Sequence, residues 1–173
     1  MWNVKAEQFP ENGTMESKLK FLIRYAILAP SGHNTQPWKF KITKNKIGVW
    51  ADKTRRRNGV DPDDRELFIS LGCAVANLEV AAKYFGMIFE KKCLDGNNGL
   101  VATFDFSEGK VNSNGKKLFE ALTQRRVNRE EYGDKSIPPE MLKKLEEECG
   151  ECERAKMMII SQRFELTIAI LML

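Results

Sequence analysis

The segment that most constrains the fold is Asp61–Phe85. Asp61-Pro62-Asp63-Asp64 is a strong helix start. Asp61 supplies a capping oxygen, Pro62 suits the first helical position, and the acids face the positive end of the helix dipole. The spacing predicts one helix from Pro62 to Phe85, stopped by Gly86. At about 24 residues it would run roughly 36 Å. From Leu67 to Phe85 nearly every side is apolar, with small residues Gly72, Cys73, Ala74 and Ala76 among them. Such a helix is expected to be buried all round. A chain of 173 residues is short for that, so a partner subunit is expected to cover part of it.

The remaining pattern alternates helix and strand. Residues 1–16 read as a poorly structured lead-in, broken by Pro10 and Asn12-Gly13. Leu19, Leu22, Ile23, Ala26 and Ile27 share one face of a helix that stops before Pro30. Trp38, Phe40 and Ile42 alternate with Lys39 and Lys41 as a half-buried strand, and Ile47–Trp50 returns after a turn at Asn45-Lys46. A second strand pair is expected at Ile88–Leu94 and Leu100–Phe106, then a connector without core signal at Gly109–Gly115. A short helix passes through Leu118, Phe119 and Leu122, and another runs from Glu140 to about Cys149. Lys156–Ile160 reads as a strand, and Arg163 onward as the beginning of a helix. The class is α+β.

Between the first helix and the first strand lies Ala29-Pro30-Ser31-Gly32-His33-Asn34-Thr35-Gln36-Pro37-Trp38. Proline near both ends stiffens this loop, which carries two amides, two hydroxyls and the sole histidine. Neutral donors and acceptors on a stiff backbone suit the polar edge of a flat heterocycle. They do not suit a phosphate, because the helix ending there presents its negative pole. A plain connection, with Gly32 and Asn34 as turn residues and Trp38 in the core, is the alternative.

Arg125, Arg126 and Arg129, with Asn128, form a compact cationic group just after a helix. Guanidinium forks match phosphate oxygens, and three can neutralise a dianionic monoester. A solvated basic turn would carry the same charges. Arg55, Arg56, Arg57 and Arg65 form a second basic group, in which Arg55 to Arg57 read as solvated and Arg65 is a candidate for cofactor or helix-end pairing.

Other chemistries find little support. The balance of 28 basic against 24 acidic residues is only mildly basic, and no Lys/Arg run is long enough to argue for nucleic acid. One histidine leaves no second for a metal pair or a His-based relay, so no metal site is expected. Cys149-Gly150-Glu151-Cys152 has C-x-x-C spacing but follows a helix rather than opening one, so it reads as incidental. Trp2, Glu7 and Glu11 interrupt any secretory signal core, and the apolar run Leu166–Leu173 is too short to span a bilayer. Few, unevenly spaced cysteines fit a reduced compartment, and the expectation is a cytoplasmic chain without membrane or nucleic-acid partners.

The loop Ala29–Trp38 resembles the "APSxHNTQPW" signature of the flavin-dependent nitroreductase family. Arg125-Arg126-Val127-Asn128-Arg129, followed by Ile137-Pro138 and a Leu-spaced helix, is similar to the family's "RRTNR" element. Asp64–Ala74, continuing to Asn77-Leu78, also resembles the family's central helix. The likeness runs from about residue 18 to residue 160. In single-domain members the Arg-rich element precedes the loop; here it follows, as in the twin-type (Acg-like) branch, where two similar halves share one chain.

The resemblance implies a nitroreductase-like mixed sheet flanked by helices, with a long buried central helix. Its organisation would be a lead-in at 1–16, a first half at 17–115, and a shortened second half at 116–173. It implies FMN as cofactor and NAD(P)H as electron donor, with ping-pong reduction of a nitro, quinone or related acceptor, and a homodimer. Pro30, Ser31, Asn34 and Gln36 would line the isoalloxazine, with Trp38 anchoring the loop. Arg125, Arg126, Asn128 and Arg129 would hold the phosphate, while Val127 replaces a hydroxyl residue and removes one contact. No side chain is nominated as catalytic, since the flavin ring itself carries electrons. A non-catalytic flavin-sequestering protein of the same fold, and a nucleic-acid module using both Arg groups, are the competing readings.

Overall fold

The computed structural model describes residues 3–96, 98–107, 109, 115–131, 133, 136–149, 155–162 and 165–172. It falls into two compact units, Met1–Val127 and Asn128–Leu173. The first contains α1 (Met15–Ala26), β1 (Trp38–Thr43), β2 (Lys46–Ala51), α2 (Arg65–Tyr84), β3 (Ile88–Cys93), β4 (Leu100–Ser107) and α3 (Lys116–Gln124). The second contains α4 (Pro139–Cys149) and a hairpin of β5 (Ala155–Gln162) and β6 (Glu165–Met172). The fold is α+β, as expected.

In the first unit the two expected strand pairs merge into one sheet, ordered β1-β2-β4-β3. Every described pairing is antiparallel, where a mixed sheet was expected. Trp38 lies opposite Ala51, and Thr43 opposite Lys46. β4 alternates cleanly: Ala102, Phe104 and Phe106 are buried while the residues between them are not, the period-2 signature of a sheet with one packed face. Ile47 and Val49 add the β2 contribution, and α1 and α2 supply the helical side of this core.

α2 departs from expectation at its start and on its surface. Helix begins at Arg65, three residues after Pro62, because Asp64 takes a left-handed φ of 60°. Asp61 still caps the helix, from across that turn: its two carboxylate oxygens accept the N–H groups of Glu66 and Leu67, each at 3.0 Å. The helix is also not buried all round. Leu67, Ser70, Leu71, Ala74, Val75, Leu78, Ala81 and Ala82 face the core, whereas Phe68, Ile69, Gly72 and Ala76 are exposed. By length and composition α2 could cross a membrane; its packing on α1, α3, β2 and β3 accounts for the same composition as a core helix.

The lead-in is also more ordered than expected. Phe9 stacks on Phe85 with ring centroids 4.2 Å apart and meets Phe21 edge-on at 5.6 Å. Aromatic burial of this kind is enough to fix a segment that carries breakers. At the other end of the unit, Phe119 is the one buried residue of α3. Its ring lies parallel to Tyr84 at 3.6 Å and within 4.7 Å of Tyr25. Burial pushes the Tyr25 hydroxyl up to about 12.

Within the span expected as a helix from Arg163, Glu165–Met172 is instead β6, paired in register with β5 from Gln162↔Glu165 to Ala155↔Met172, while Arg163 and Phe164 lie outside the described residues. A short apolar run is compatible with either state, and here a neighbouring strand decides. Cys152 of the C-x-x-C spacing, residues 110–114 of the connector, and Tyr132 lie outside the described residues.

Candidate functional site

The ten-residue loop follows α1 and is fixed by its own hydrogen bonds. Ser31 Oγ accepts the Gln36 N–H at 3.0 Å, the Asn34 N–H reaches the Ser31 carbonyl at 2.9 Å, and the Thr35 hydroxyl donates to the Gly32 carbonyl at 3.0 Å. His33, Asn34 and Gln36 all take positive φ, between 50° and 55°. Three such residues within four positions is a concentration of strain that regular connections do not carry. Hydrogen bonds within the loop, in addition to its prolines, hold this left-handed backbone.

The loop displays the neutral chemistry its composition implies. The Gln36 side-chain amide donates to Asn34 Oδ1 at 3.3 Å. An amide carries both donors and an acceptor, so the two side chains together offer neutral groups of both kinds. His33 and Asn34 are exposed; Pro30, Ser31 and Gln36 are half-buried. Neutral donors and acceptors are the chemistry the polar edge of a flavin pyrimidine ring needs, so the set of groups is compatible with FMN.

Neighbouring elements hold the loop from three sides. The Gly32 N–H donates to Ser70 Oγ on α2 at 3.1 Å. Arg55 donates to the Thr35 carbonyl at 2.9 Å, and the Asp52 N–H donates to the Pro37 carbonyl at 2.8 Å. At Gly32 a Cβ would collide with the Glu66 side chain, so the glycine permits close approach of the loop to α2.

Of the cationic group, Arg125 reaches the base of this loop. Its guanidinium donates to the Leu28 carbonyl at 3.2 Å, two residues before Pro30. A cation there offsets the negative pole of α1 that would otherwise repel an anion. The same guanidinium acts on Cys73 of α2, whose thiol burial pushes up while Arg125 pulls it down. Arg126 turns back on the end of α3, donating to the Thr123 and Arg125 carbonyls at 2.7 and 2.8 Å. Asn128 and Arg129 belong to the second unit, where both are exposed and Asn128 Oδ1 accepts the Glu130 N–H at 3.0 Å.

Two parts of the first unit's site were not legible as such. Arg55 and Arg56 are not simply solvated, as the sequence suggested. Arg55 also meets Asp52 at 3.5 Å, and Arg56 pairs with Asp64 and donates to the Pro62 carbonyl; Arg57 and Arg65 are exposed. Ser70 was overlooked, although a hydroxyl between Leu67, Leu71 and Ala74 on an inward-facing stripe was a readable signal. A separate groove of about 550 Å³ lies between residues 4–7, Tyr25 and α3, and no loop residue lines it.

Asp52 ties β1, the Lys53–Arg55 turn and the loop together. It accepts from Thr54 N–H and hydroxyl at 3.1 and 2.6 Å and pairs with Lys39 at 2.9 Å. The Thr54 hydroxyl and the Lys39 ammonium hold its carboxyl down to about 2. A depressed carboxylate stabilises the fold above its ordinary value, and that stabilisation disappears as pH falls through the folded value. Wild type and Asp52→Asn are therefore expected to differ in denaturant midpoint at pH 5–7, with the gap closing between about pH 4 and pH 2. An unchanged gap at the acid end would remove this role.

No protein-family model matches the chain. Curated proteins named as NAD(P)H nitroreductases do. Rv3131 of Mycobacterium tuberculosis is 33% identical over 78 residues, 45% of this chain and 22% of that protein. Acg of the same organism is 25% identical over 134 residues, 76% of this chain and 40% of that protein. PigM of a Serratia strain is 30% identical over 99 residues, 54% of this chain and 28% of that protein. The chain thus spans less than half the length of these relatives. The α+β fold of this chain and these partial similarities are the findings on which a functional reading can be built.

Proposed function

We propose that this chain forms part of an FMN-dependent oxidoreductase of the nitroreductase family, in its twin-type branch. NAD(P)H is the donor, and a nitro compound, quinone or related molecule the acceptor. The observation that carries the reading is the Arg125 guanidinium on the Leu28 carbonyl, which joins an arginine of the cationic element to the base of the loop. The relatives' names supply the donor, and the neutral amides of Asn34 and Gln36 support a flavin edge.

In this reading Pro30, Ser31, Asn34 and Gln36 orient the ring, and Arg125, Arg126, Asn128 and Arg129 offset the phosphate charge. FMN, when bound, supplies the hydride and electron chemistry in a ping-pong cycle. The chain's own contribution is to supply neutral polar groups for the ring and guanidinium groups for the phosphate. The exposed α2 residues Phe68, Ile69, Gly72 and Ala76 are the surface on which a homodimer would form, in the cytoplasm. The competing reading is flavin sequestration without turnover.

The test is direct. The protein is titrated with FMN by visible absorbance and flavin fluorescence, then mixed anaerobically with NADH or NADPH. Bleaching supports the oxidoreductase, and binding without bleaching selects sequestration. Arg125→Ala is expected to weaken FMN binding about tenfold or more, the scale of one charge-assisted contact. Absence of any FMN binding by wild type overturns both readings.

A further inference from the structure

We infer that Ser70 is a positioning residue for the loop, setting the orientation of the ring-binding groups without touching the ring itself. The inference rests on the FMN reading above, but its geometric part stands alone. α2 turns an apolar stripe toward the core, and Ser70 is the one hydroxyl among the buried residues of that helix. It is 3% exposed, so a polar group there needs partners.

Both of its hydrogen-bonding capacities are used, and in a fixed sense. The hydroxyl donates to the Glu66 carbonyl one turn back, at 2.6 Å. That direction leaves a lone pair aimed outward, which accepts the Gly32 N–H at 3.1 Å. A backbone carbonyl can only accept, so the Glu66 bond forces the hydroxyl to be the acceptor for Gly32. The arrangement is a relay from a rigid helix into a strained loop.

Gly32 is where this matters most. It opens the turn containing His33 and Asn34, both at positive φ, and its carbonyl takes two bonds from Thr35. Fixing the Gly32 peptide therefore fixes Ser31 on one side and the Asn34–Gln36 amide pair on the other. Without the Ser70 oxygen the Gly32 N–H is left without its partner beside α2, and the left-handed residues lose the contact that over-determines them.

The test uses two variants of the full chain with the same side-chain volume. Ser70→Thr keeps the hydroxyl and Ser70→Val removes it, so added bulk cancels in the comparison. Ser70→Val is expected to bind FMN roughly tenfold more weakly than Ser70→Thr, the scale of one orphaned donor. Its flavin absorption bands should lose resolved structure, and its Gly32 amide should exchange with solvent faster. Ala82→Gly, a destabilising change at the far end of α2, should lower the melting temperature without changing the flavin bands.

Equal FMN affinity and equal Gly32 exchange in the Thr and Val variants would overturn the inference. So would a loss of affinity in Ala82→Gly that tracks stability as closely as in Ser70→Val, since that marks a structural role only. If wild type binds no FMN, the cofactor reading fails by itself. The Gly32 exchange comparison then still decides whether Ser70 anchors the loop.

Discussion

Phe119→Ala is expected to destabilise the first unit by about 3–5 kcal/mol, the range for deleting a buried aromatic ring. Phe119 is 6% exposed and is the only fully buried residue of α3, so only the half-buried Leu122 still packs that helix on the core once it is gone. The parallel contact with Tyr84 at 3.6 Å and the approaches to Tyr25 and Phe85 at 4.7 and 5.2 Å all vanish together. α3 ends at Gln124, and Arg125 follows at once, so whatever seats α3 also places the guanidinium on Leu28. The variant should therefore lose Arg125-dependent FMN binding along with stability. Chemical denaturation with parallel FMN titration measures both. Phe119→Leu, which keeps an apolar plug, should recover much of the stability. If Phe119→Ala left FMN affinity at the wild-type level, Arg125 would be placed by something other than α3.

The elements that were legible carry period and punctuation in their own residues. β1 and β4 alternate, α1 repeats at three and four, and Asp61 announces a helix. What was not legible depends on partners distant in sequence. The expected burial of α2 on all sides assumed that apolar character means an apolar neighbour. Phe68 and Ile69 show otherwise, since the sheet and α1 can cover only one side of a helix. The expected helix at the chain's end failed for the same reason: β5 supplies a partner that local propensity does not contain. In the site, the loop residues could be named from composition. The roles of Ser70, Asp52 and Arg55 could not, because each acts through a carbonyl or N–H tens of residues or one strand away. Arg55 looked solvated because its charge was read without its geometry.

Asp61→Ala is expected to cost about 2–3 kcal/mol, near the upper range for a helix cap because two N–H groups lose a charged acceptor at once. Asp61 is 6% exposed, so water does not readily replace it. Its own backbone is built into the same turn: its N–H donates to the Arg57 carbonyl at 2.8 Å, and its carbonyl accepts from Asp64 at 3.3 Å. Glu66, whose N–H it holds, is the residue whose carbonyl takes the Ser70 hydroxyl. Fraying of the first turn of α2 would thus travel along a defined path, from Asp61 to Glu66 to Ser70 to Gly32. Asp61→Asn retains one acceptor oxygen and should lose about half as much stability, because a neutral amide can replace only one of the two bonds. Thermal unfolding with site-resolved hydrogen exchange separates the steps. Glu66, Leu67 and Gly32 amides should lose protection together in Asp61→Ala, while the amides of β4 keep theirs below the global transition. Loss confined to Glu66 and Leu67 would show that the cap stabilises α2 without governing the loop.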